Sequence, residues 1–296
     1  MRKLPCPTVL LLTLLCSASM AQQLKTIALT DTIFMLQGIG GNIGVAIGEQ
    51  PFVIDNQLPF ASKKVIAAVG ELTEQPIAFV INTHFHSDHI GGNPAMKQLG
   101  AIIVSHNNAR TRMTKESISV ISGKQNPPAK PEAWPVLTFS RAVNFHINGQ
   151  HIAIRHIENA HTDGDAIVHF ADANVIHAGD VFLQGSYPII DYHAGGSLDG
   201  VIAAADILIA MADNKTKIIP GHGNLSTVDD VKAFKALCQT IKQRVAAGIE
   251  SGKSLEDQLA DQPLADLEAQ WGNKFMPGRK AFKMIFEGES ARRLAR

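Results

Sequence analysis

The segment that most constrains the fold is an apolar run that leads directly into a cluster of metal-binding side chains. The run PIAFVIN (76–82) is continuous and of strand length, which is typical of a strand buried on both faces. It is followed at once by THFHSDHIGGN, which brings His84, His86, Asp88 and His89 together in the sequence. Because α/β sheets place their ligands at the carboxyl ends of such strands, the pattern predicts a metal-binding loop at a sheet edge.

Strand and helix patterns alternate on both sides of this loop. Short β-branched runs in residues 24–57 predict antiparallel strands, and helical spacing follows at 59–72 and near 91–100. A second group of strands is predicted within residues 143–180, and a further strand at 216–220. Helices are expected over residues 197–212 and 227–251, and a surface excursion over 111–134. This order predicts an α/β fold with two packed sheets and helices outside them, a four-layer αββα sandwich.

The N-terminus has the three parts of a secretory signal peptide. Arg2 and Lys3 precede an apolar run from about Thr8 to Cys16, and Ser19-Met20-Ala21 forms a small-x-small cleavage site. The apolar run is shorter than the roughly 20 residues that span a membrane, which argues against a stable membrane anchor. We therefore expect residues 1–21 to be a signal peptide and the mature chain to be periplasmic or secreted.

The mature chain is predicted to be one domain with a helical end. Residues 22–251 carry the strand and helix patterns, and 252–296 are amphipathic, which indicates a C-terminal helical appendage of the same domain. Of the three cysteines, signal cleavage would leave Cys238, within an apolar-periodic segment, as a buried hydrophobic residue. A formal net charge of +0 with no basic stripe argues against nucleic acid as a partner and leaves a small molecule. The oligomeric state stays open.

Three further ligand-type residues lie near the ends of predicted strands. They are His161 in ENAHTDGD, Asp180 in VIHAGDVF and His222 in IIPGHGN. Taken singly, each is explained by a turn or a solvated loop. Together with the first cluster they make five histidines and two aspartates on predicted strand-end loops, which points to one shared site.

The order of these residues resembles that of the metallo-β-lactamase superfamily. The motif H-x-H-x-D-H, a later His, an Asp after AG, and PGHG carry the resemblance, which spans residues 25 to about 250. It implies the αββα fold and two Zn²⁺ ions per chain, with other divalent metals as alternatives. Asp55 in FVID matches an early aspartate of the family, which supports the site without binding metal. The implied ligands are His84, His86, Asp88, His89, His161, Asp180 and His222.

The resemblance also implies a role for each of these residues. Side chains at i and i+2 of an extended backbone face the same way, so His84 and His86 can bind one ion, with His161 as the third imidazole. Asp88, His89 and His222 would face a second ion, and Asp180 would bridge the two ions. Asp88 and Asp180 would be the catalytic residues. Two such ions lower the pKa of a bound water from 15.7 toward ~7, which gives a hydroxide nucleophile. The resulting positive charge favours anionic substrates.

Two features of the sequence point to different substrates within the superfamily. Asp180 stands where the best-known β-lactamases carry Cys or Ser, and VFLQGSYP offers Gln184, Ser186 and Tyr187 but no lysine for a drug carboxylate. The signal peptide and AHTDGDAIVHF resemble exported β-lactamase relatives. We expect an exported dinuclear zinc hydrolase that cleaves a cyclic amide or ester, β-lactam-like or lactone, with weak activity on β-lactams.

Three alternatives remain open. The first is a glyoxalase-like thioesterase, and the second is an iron-dependent oxidoreductase of the same fold, since His and Asp ligands accept several metals. A non-catalytic binding protein is disfavoured because all seven ligand positions are present. Tyr187, Tyr192 and His193 are expected to have packing or surface roles.

Overall fold

The apolar runs of the sequence form the strands of two large β-sheets and a small hairpin. The structure is a computed structural model that describes residues 24–273 and 275–294, so the predicted signal peptide lies outside the described residues. The strands are β1 (Lys25–Ala28), β2 (Ile33–Gln37), β3 (Ile43–Ala46), β4 (Phe52–Ile54), β5 (Phe79–Asn82), β6 (Ile102–His106), β7 (Ser117–Ile118), β8 (Gln125–Asn126), β9 (Leu137–Phe139), β10 (Ala142–Ile147), β11 (Gln150–Ile157), β12 (Asp165–Phe170), β13 (Val175–Leu183) and β14 (Lys217–His222).

The helices follow the predicted amphipathic segments and include two short ones, of which one (Ser87–Ile90) lies within the histidine motif and the other (Asn93–Gln98) follows it. None of the helices in the described ranges combines the length and apolar character needed to cross a bilayer. The helices are α1 (Ser62–Gly70), α2 (Ser87–Ile90), α3 (Asn93–Gln98), α4 (Asn107–Met113), α5 (Leu198–Met211), α6 (Val228–Glu250), α7 (Leu255–Ala260), α8 (Glu268–Trp271) and α9 (Gly278–Leu294).

Each large sheet is mixed, and its alternating side chains divide between two cores. The first sheet has the strand order β1-β2-β3-β4-β5-β6-β9 and the second the order β10-β11-β12-β13-β14. In β4, Ile54 faces the second sheet while Val53 packs under the helices, and in β5 Ile81 and Val80 divide in the same way. This period of two is what a strand buried on both faces requires.

Three apolar cores separate four layers. One core joins the first sheet to α1 and α3, a second lies between the sheets, and a third joins the second sheet to α5, α6 and α9. The layers therefore run helix, sheet, sheet, helix, and the predicted αββα sandwich is confirmed. Within the third core Cys238 is fully buried on α6, as its apolar surroundings predicted.

The region predicted as a surface excursion is largely exposed and contains short elements that the sequence did not indicate. Residues 111–113 complete α4, and the stretch that follows contains the β7–β8 hairpin. The next segment, β9, extends the first sheet beside β6. The pattern missed these elements because a two-residue strand and a three-residue edge strand are too short to show periodicity.

The C-terminal segment is helical and contributes to the third core. Trp271, Phe282 and Ile285 are buried there with α6 and the second sheet. Phe275, which the amphipathic pattern grouped with them, is 67% exposed. The segment therefore belongs to the packed structure through α7, α8 and α9.

Candidate metal centre

Three histidines meet where β5 ends and where the β11–β12 loop approaches it. The ligand atoms of His84, His86 and His161 lie within 4.8 Å of one another. Nε2 of His161 is 2.9 Å from Nδ1 of His86, and the three rings meet edge to face. The motif and the distant His161 together form a compact set of three imidazole nitrogens.

A second group forms on the other side of the same loop. Asp88 and His89 lie in α2, and His222 is the last residue of β14. Oδ2 of Asp88 is 3.2 Å from Nε2 of His222 and 3.7 Å from Nε2 of His89. These three ligand atoms also lie within 4.8 Å of one another.

Asp180 lies between the two groups. Its Oδ1 is 3.2 Å from Nε2 of His89, while its Oδ2 is 3.5 Å from Nε2 of His222 and 3.7 Å from Nε2 of His161. The structure therefore brings all seven sequence-predicted residues together in one cluster. Their role as metal ligands stays a prediction.

The placement of Asp180 corrects the sequence interpretation. The residue lies inside β13, where the pairing with β14 shifts register between Gly179 and Leu183, and not in a strand-end loop. Gly179 has a φ of 56°, and a Cβ there would lie 2.8 Å from the Thr83 side chain. On β14, a Cβ at Gly221 would collide with the Asp180 carboxylate. Glycine at both positions allows the strand irregularity to point Asp180 at the histidines.

Four of the five histidine rings are held by a hydrogen bond to the nitrogen that faces away from the cluster. Such bonds fix the tautomer and orientation of a metal-binding imidazole. The bonds are His84 Nδ1 to Thr83 Oγ1 (3.1 Å), His86 Nε2 to Asp191 Oδ2 (2.9 Å), His89 Nδ1 to Asp55 Oδ2 (2.7 Å) and His161 Nδ1 to the Ile189 carbonyl (2.7 Å).

Asp55 connects two of these rings. Its fully buried carboxylate accepts hydrogen bonds from the Thr83 amide at 2.8 Å, the Thr83 hydroxyl at 2.7 Å and Nδ1 of His89 at 2.7 Å. Because the Thr83 hydroxyl donates to Asp55, it is left to accept from Nδ1 of His84. Asp55 therefore orients His89 directly and His84 through Thr83, and it lies behind the cluster.

Sequence reasoning missed Asp191, Thr83 and the Ile189 carbonyl. Asp191 is 105 positions from the histidine that it holds, and an isolated aspartate carries no motif. Its one sequence signal is an acidic residue after the apolar run PII and shortly before Gly195-Gly196, a pattern typical of a turn. Thr83 lies next to His84 at the start of the motif, but its position in the sequence does not indicate which side chains it hydrogen-bonds.

The two halves of the cluster differ in charge. Burial, reinforced by His89, lowers the pKa of His84, and burial lowers the pKa of His161 to about 4. Burial opposes a charge on His222, but the Asp180 carboxylate outweighs it and raises the pKa to about 9. Burial alone would raise the pKa of Asp180, yet His89 and His222 hold that pKa well below its usual range. A divalent cation would replace the protons that now balance the carboxylates.

The donor set and its unpaired atoms fit a metal. Within the described part of the chain, Nε2 of His84 and Oδ1 of Asp180 are buried without a hydrogen bond of good geometry. Leaving buried polar atoms unpaired costs about 1–3 kcal/mol each, so such atoms indicate a missing partner. Imidazole nitrogens and carboxylate oxygens are suitable donors for Zn²⁺ and for other divalent transition metals.

A comparison with protein families identifies the chain's relatives. The model of the metallo-beta-lactamase superfamily matches residues 58–222, more than half of the chain. The chain belongs to this superfamily. The matched range ends at His222 and contains all seven clustered residues.

Solved structures with the same fold include enzymes of two kinds. A metallo-beta-lactamase from Pontibacter korlensis has a TM-score of 0.61 at 17% identity, covering 73% of this chain and 99% of that one. The DIM-1 metallo-beta-lactamase has a TM-score of 0.58 at 16% identity, covering 74% and 98%. The stereoselective inverting sec-alkylsulfatase Pisa1 from Pseudomonas sp. has a TM-score of 0.66 at 12% identity, covering 89% and 50%. At these identities the likeness shows the fold alone.

A cleft of about 350 Å³ lies beside the cluster of this metallo-beta-lactamase superfamily member. Asp191, which contacts His86, is part of its lining. Arg112, Lys115 and His193 contribute to its lining, so His193 faces a cavity as well as solvent. Tyr187 is fully buried, which agrees with the packing role expected for it, and Tyr192 is partly buried. Glu116 and Asp191 line the cleft as well, so it places charges of both signs beside the cluster.

Proposed function

We propose that the mature chain is an exported dinuclear zinc hydrolase that cleaves a cyclic amide or ester in a small anionic substrate, of the β-lactam or lactone type. The observation that carries the proposal is the cluster of seven side chains, whose two three-residue groups are joined through Asp180. Membership in a superfamily that is typically hydrolytic supports it.

The residues divide into two ligand sets with one shared member. His84, His86 and His161 would hold the first ion, Asp88, His89 and His222 the second, and Asp180 would contact both. Bound zinc would supply Lewis acidity and lower the pKa of water toward ~7.

The two carboxylates in the cluster differ in exposure, which assigns them different tasks. The Asp180 side chain is 6% exposed and surrounded by imidazoles, so it is suited to holding the two halves together. The Asp88 side chain is 28% exposed, so it can reach both the reacting centre and solvent. We therefore assign to Asp88 the acceptance and release of the proton from the attacking water.

The neighbouring cleft is lined by charges of both signs, Arg112 and Lys115 beside Glu116 and Asp191, and it offers one cation without a salt bridge to an anionic substrate. Arg112 is paired with Asp163 at 2.6 Å, whereas Lys115 forms no salt bridge within the described residues. The segment after Asp180 has no lysine, so Lys115 would take over the contact with a substrate carboxylate from a different part of the fold. This arrangement favours a substrate whose anionic group extends toward the β7–β8 hairpin.

The two alternative functions would use the same site with a different substrate or a different metal. A glyoxalase-like thioesterase would also use an aspartate at position 180, and its preferred bond would be a thioester. An iron-dependent oxidoreductase would use the same His and Asp donors with iron. Metal analysis of protein expressed in medium with several available metals separates the second alternative from both hydrolases.

Export is proposed from the sequence alone. The small-x-small pattern Ser19-Met20-Ala21 places cleavage before Gln22. Expression with the native leader in a Gram-negative host should yield a periplasmic protein whose first residue, by N-terminal sequencing, is at or near Gln22. A cytoplasmic protein that retains residues 1–21 would contradict export.

A substrate screen tests the proposed reaction. The zinc-loaded protein is assayed on β-lactams, lactones, thioesters, phosphodiesters and, because of the alkylsulfatase fold relative, sulfate esters. We expect the highest kcat/KM on a cyclic amide or ester with an anionic group, and its loss in His84→Ala/His161→Ala. His146→Ala, on an exposed part of β10, is the matched control and should retain activity. A thioester preference, or turnover in the double variant equal to wild type, would contradict the proposal.

A further inference from the structure

The segment after β13 lies against the three-histidine group. We call residues 186–198 the bridging segment. Its Ile189 carbonyl accepts from Nδ1 of His161 at 2.7 Å, and its Asp191 carboxylate contacts Nε2 of His86 at 2.9 Å. The Asp191 amide also donates to the His161 carbonyl at 2.8 Å. Two of the three rings therefore depend on the conformation of this one segment.

The opposite side of the bridging segment is bound by α9. The Tyr192 hydroxyl donates to Oε1 of Glu289 at 2.9 Å, and the Leu198 amide approaches the same oxygen at 3.5 Å. Arg292 donates to the Gly196 carbonyl at 3.4 Å. A single carboxylate on α9 thus contacts the segment both next to Asp191 and at the start of α5.

Close packing accompanies these polar contacts. At Gly288 of α9 the backbone approaches the Tyr192 ring so closely that a Cβ would overlap it. Earlier in the segment, Ser186 accepts from Asn273 at 2.8 Å, and the Tyr187 hydroxyl donates to the Leu264 carbonyl at 3.3 Å. The C-terminal part of the chain therefore contacts the bridging segment at Ser186, Tyr187 and Tyr192.

The second ligand group is held from other parts of the fold. His89 is oriented by Asp55, and His222 ends β14. Neither contact involves the bridging segment or α9. A change in α9 should therefore affect the three-histidine group more than the group of Asp88, His89 and His222.

We infer that α9 is a positioning element for the first metal site, acting through Glu289 and Tyr192 on Asp191 and Ile189, and so on the rings of His86 and His161. The inference rests on the proposed metal binding and assigns a role to the C-terminal helix, which lies beyond the family match. Glu289 and Tyr192 are positioning residues, since neither touches the histidines.

The test compares the affinities of the two ions in matched variants. Tyr192→Phe removes the donor of this hydrogen bond and Glu289→Ala removes its acceptor. Glu287→Ala is the control on the same helix, where the side chain is exposed and 3.8 Å from Lys283. Zn²⁺ affinities are measured by competition with a chromophoric chelator. We expect the first ion to bind about 3–10-fold more weakly in both variants, less than the 10–100-fold typical of losing a direct partner of a ligand. The second ion and the control should stay within about 2-fold of wild type.

Two further measurements distinguish positioning from general destabilisation. The Tyr192→Phe/Glu289→Ala double variant should weaken binding of the first ion no more than Glu289→Ala alone, because Tyr192→Phe acts only through the bond that Glu289→Ala already removes. Thermal unfolding in excess chelator reports the metal-free fold, and the single variants should stay close to wild type there. Equal weakening of both ions, or unchanged first-ion affinity in Tyr192→Phe, would overturn the inference. A wild-type chain that binds no zinc would instead overturn the proposed function, and the inference with it.

Discussion

Asp180→Ala should keep the fold and the ion of His84, His86 and His161, lose much of the second ion, and lower turnover by about 10² or more. The carboxylate is the one group whose two oxygens approach both halves of the cluster, at 3.2 Å from His89 and 3.7 Å from His161. Removing it leaves the second group with one carboxylate, Asp88. Elemental analysis and kinetics on the best substrate of the screen measure the two effects together.

Two other substitutions make the Asp180 result interpretable. Asp180→Cys should retain part of the metal and shift the preference toward β-lactams, because the best-known β-lactamases, from which Asp180 separates this chain, carry Cys or Ser at this position. Asp172→Asn, an exposed aspartate that accepts from the His151 amide, is the control and should leave metal content and turnover unchanged. An Ala variant with two ions and normal turnover would show that Asp180 is only a strand residue.

Asp55→Asn should weaken the second ion by about 10–100-fold while preserving the backbone. Asp55 has a φ of 61°, a conformation that Asn tolerates, so the substitution tests the carboxylate alone. The new amide group would present N–H toward Nδ1 of His89 and favour the tautomer with its proton on Nε2. Nε2 is the atom that faces Asp88 and Asp180, and a protonated nitrogen cannot bind a metal.

The same substitution should also destabilise the metal-free protein. An amide nitrogen in the place of Asp55 Oδ2 cannot accept the two buried hydrogen bonds from Thr83 Oγ1 and His89 Nδ1, which costs about 1–3 kcal/mol in the free energy of unfolding. Urea denaturation in excess chelator measures this cost separately from metal affinity, with Asp172→Asn again as the control. Unchanged second-ion affinity in Asp55→Asn would show that the Asp55 contact does not select the His89 tautomer.

The fold and the identity of the clustered residues could be predicted because each has a local signal. The continuous apolar run of β5 puts Val80 and Ile81 on opposite, buried faces, and the sandwich follows from strands of this kind in two sheets. The histidine motif is contiguous, so its ligand spacing is visible in the sequence. His161 and His222 were found because small, turn-prone residues accompany them near strand ends.

Apart from Asp55, whose supporting role the family resemblance implies, the support of the site could not be predicted because it depends on long-range contacts. Asp191 holds His86 from 105 positions away, and Glu289 reaches Tyr192 from 97 positions away. The position of Asp180 inside β13 depends on a register shift that only the pairing with β14 produces. Such contacts follow from how the sheets and helices pack, and no local periodicity encodes them.

The most direct test of the proposed metal centre is the metal content of the purified mature protein, measured beside activity before and after chelation. We predict two zinc ions per chain, loss of turnover on removal of the ions by a chelator, and recovery on addition of Zn²⁺, because the seven side chains form one connected cluster. One equivalent or none, with turnover unaffected by the chelator, would contradict the proposal that these residues form a dinuclear catalytic site.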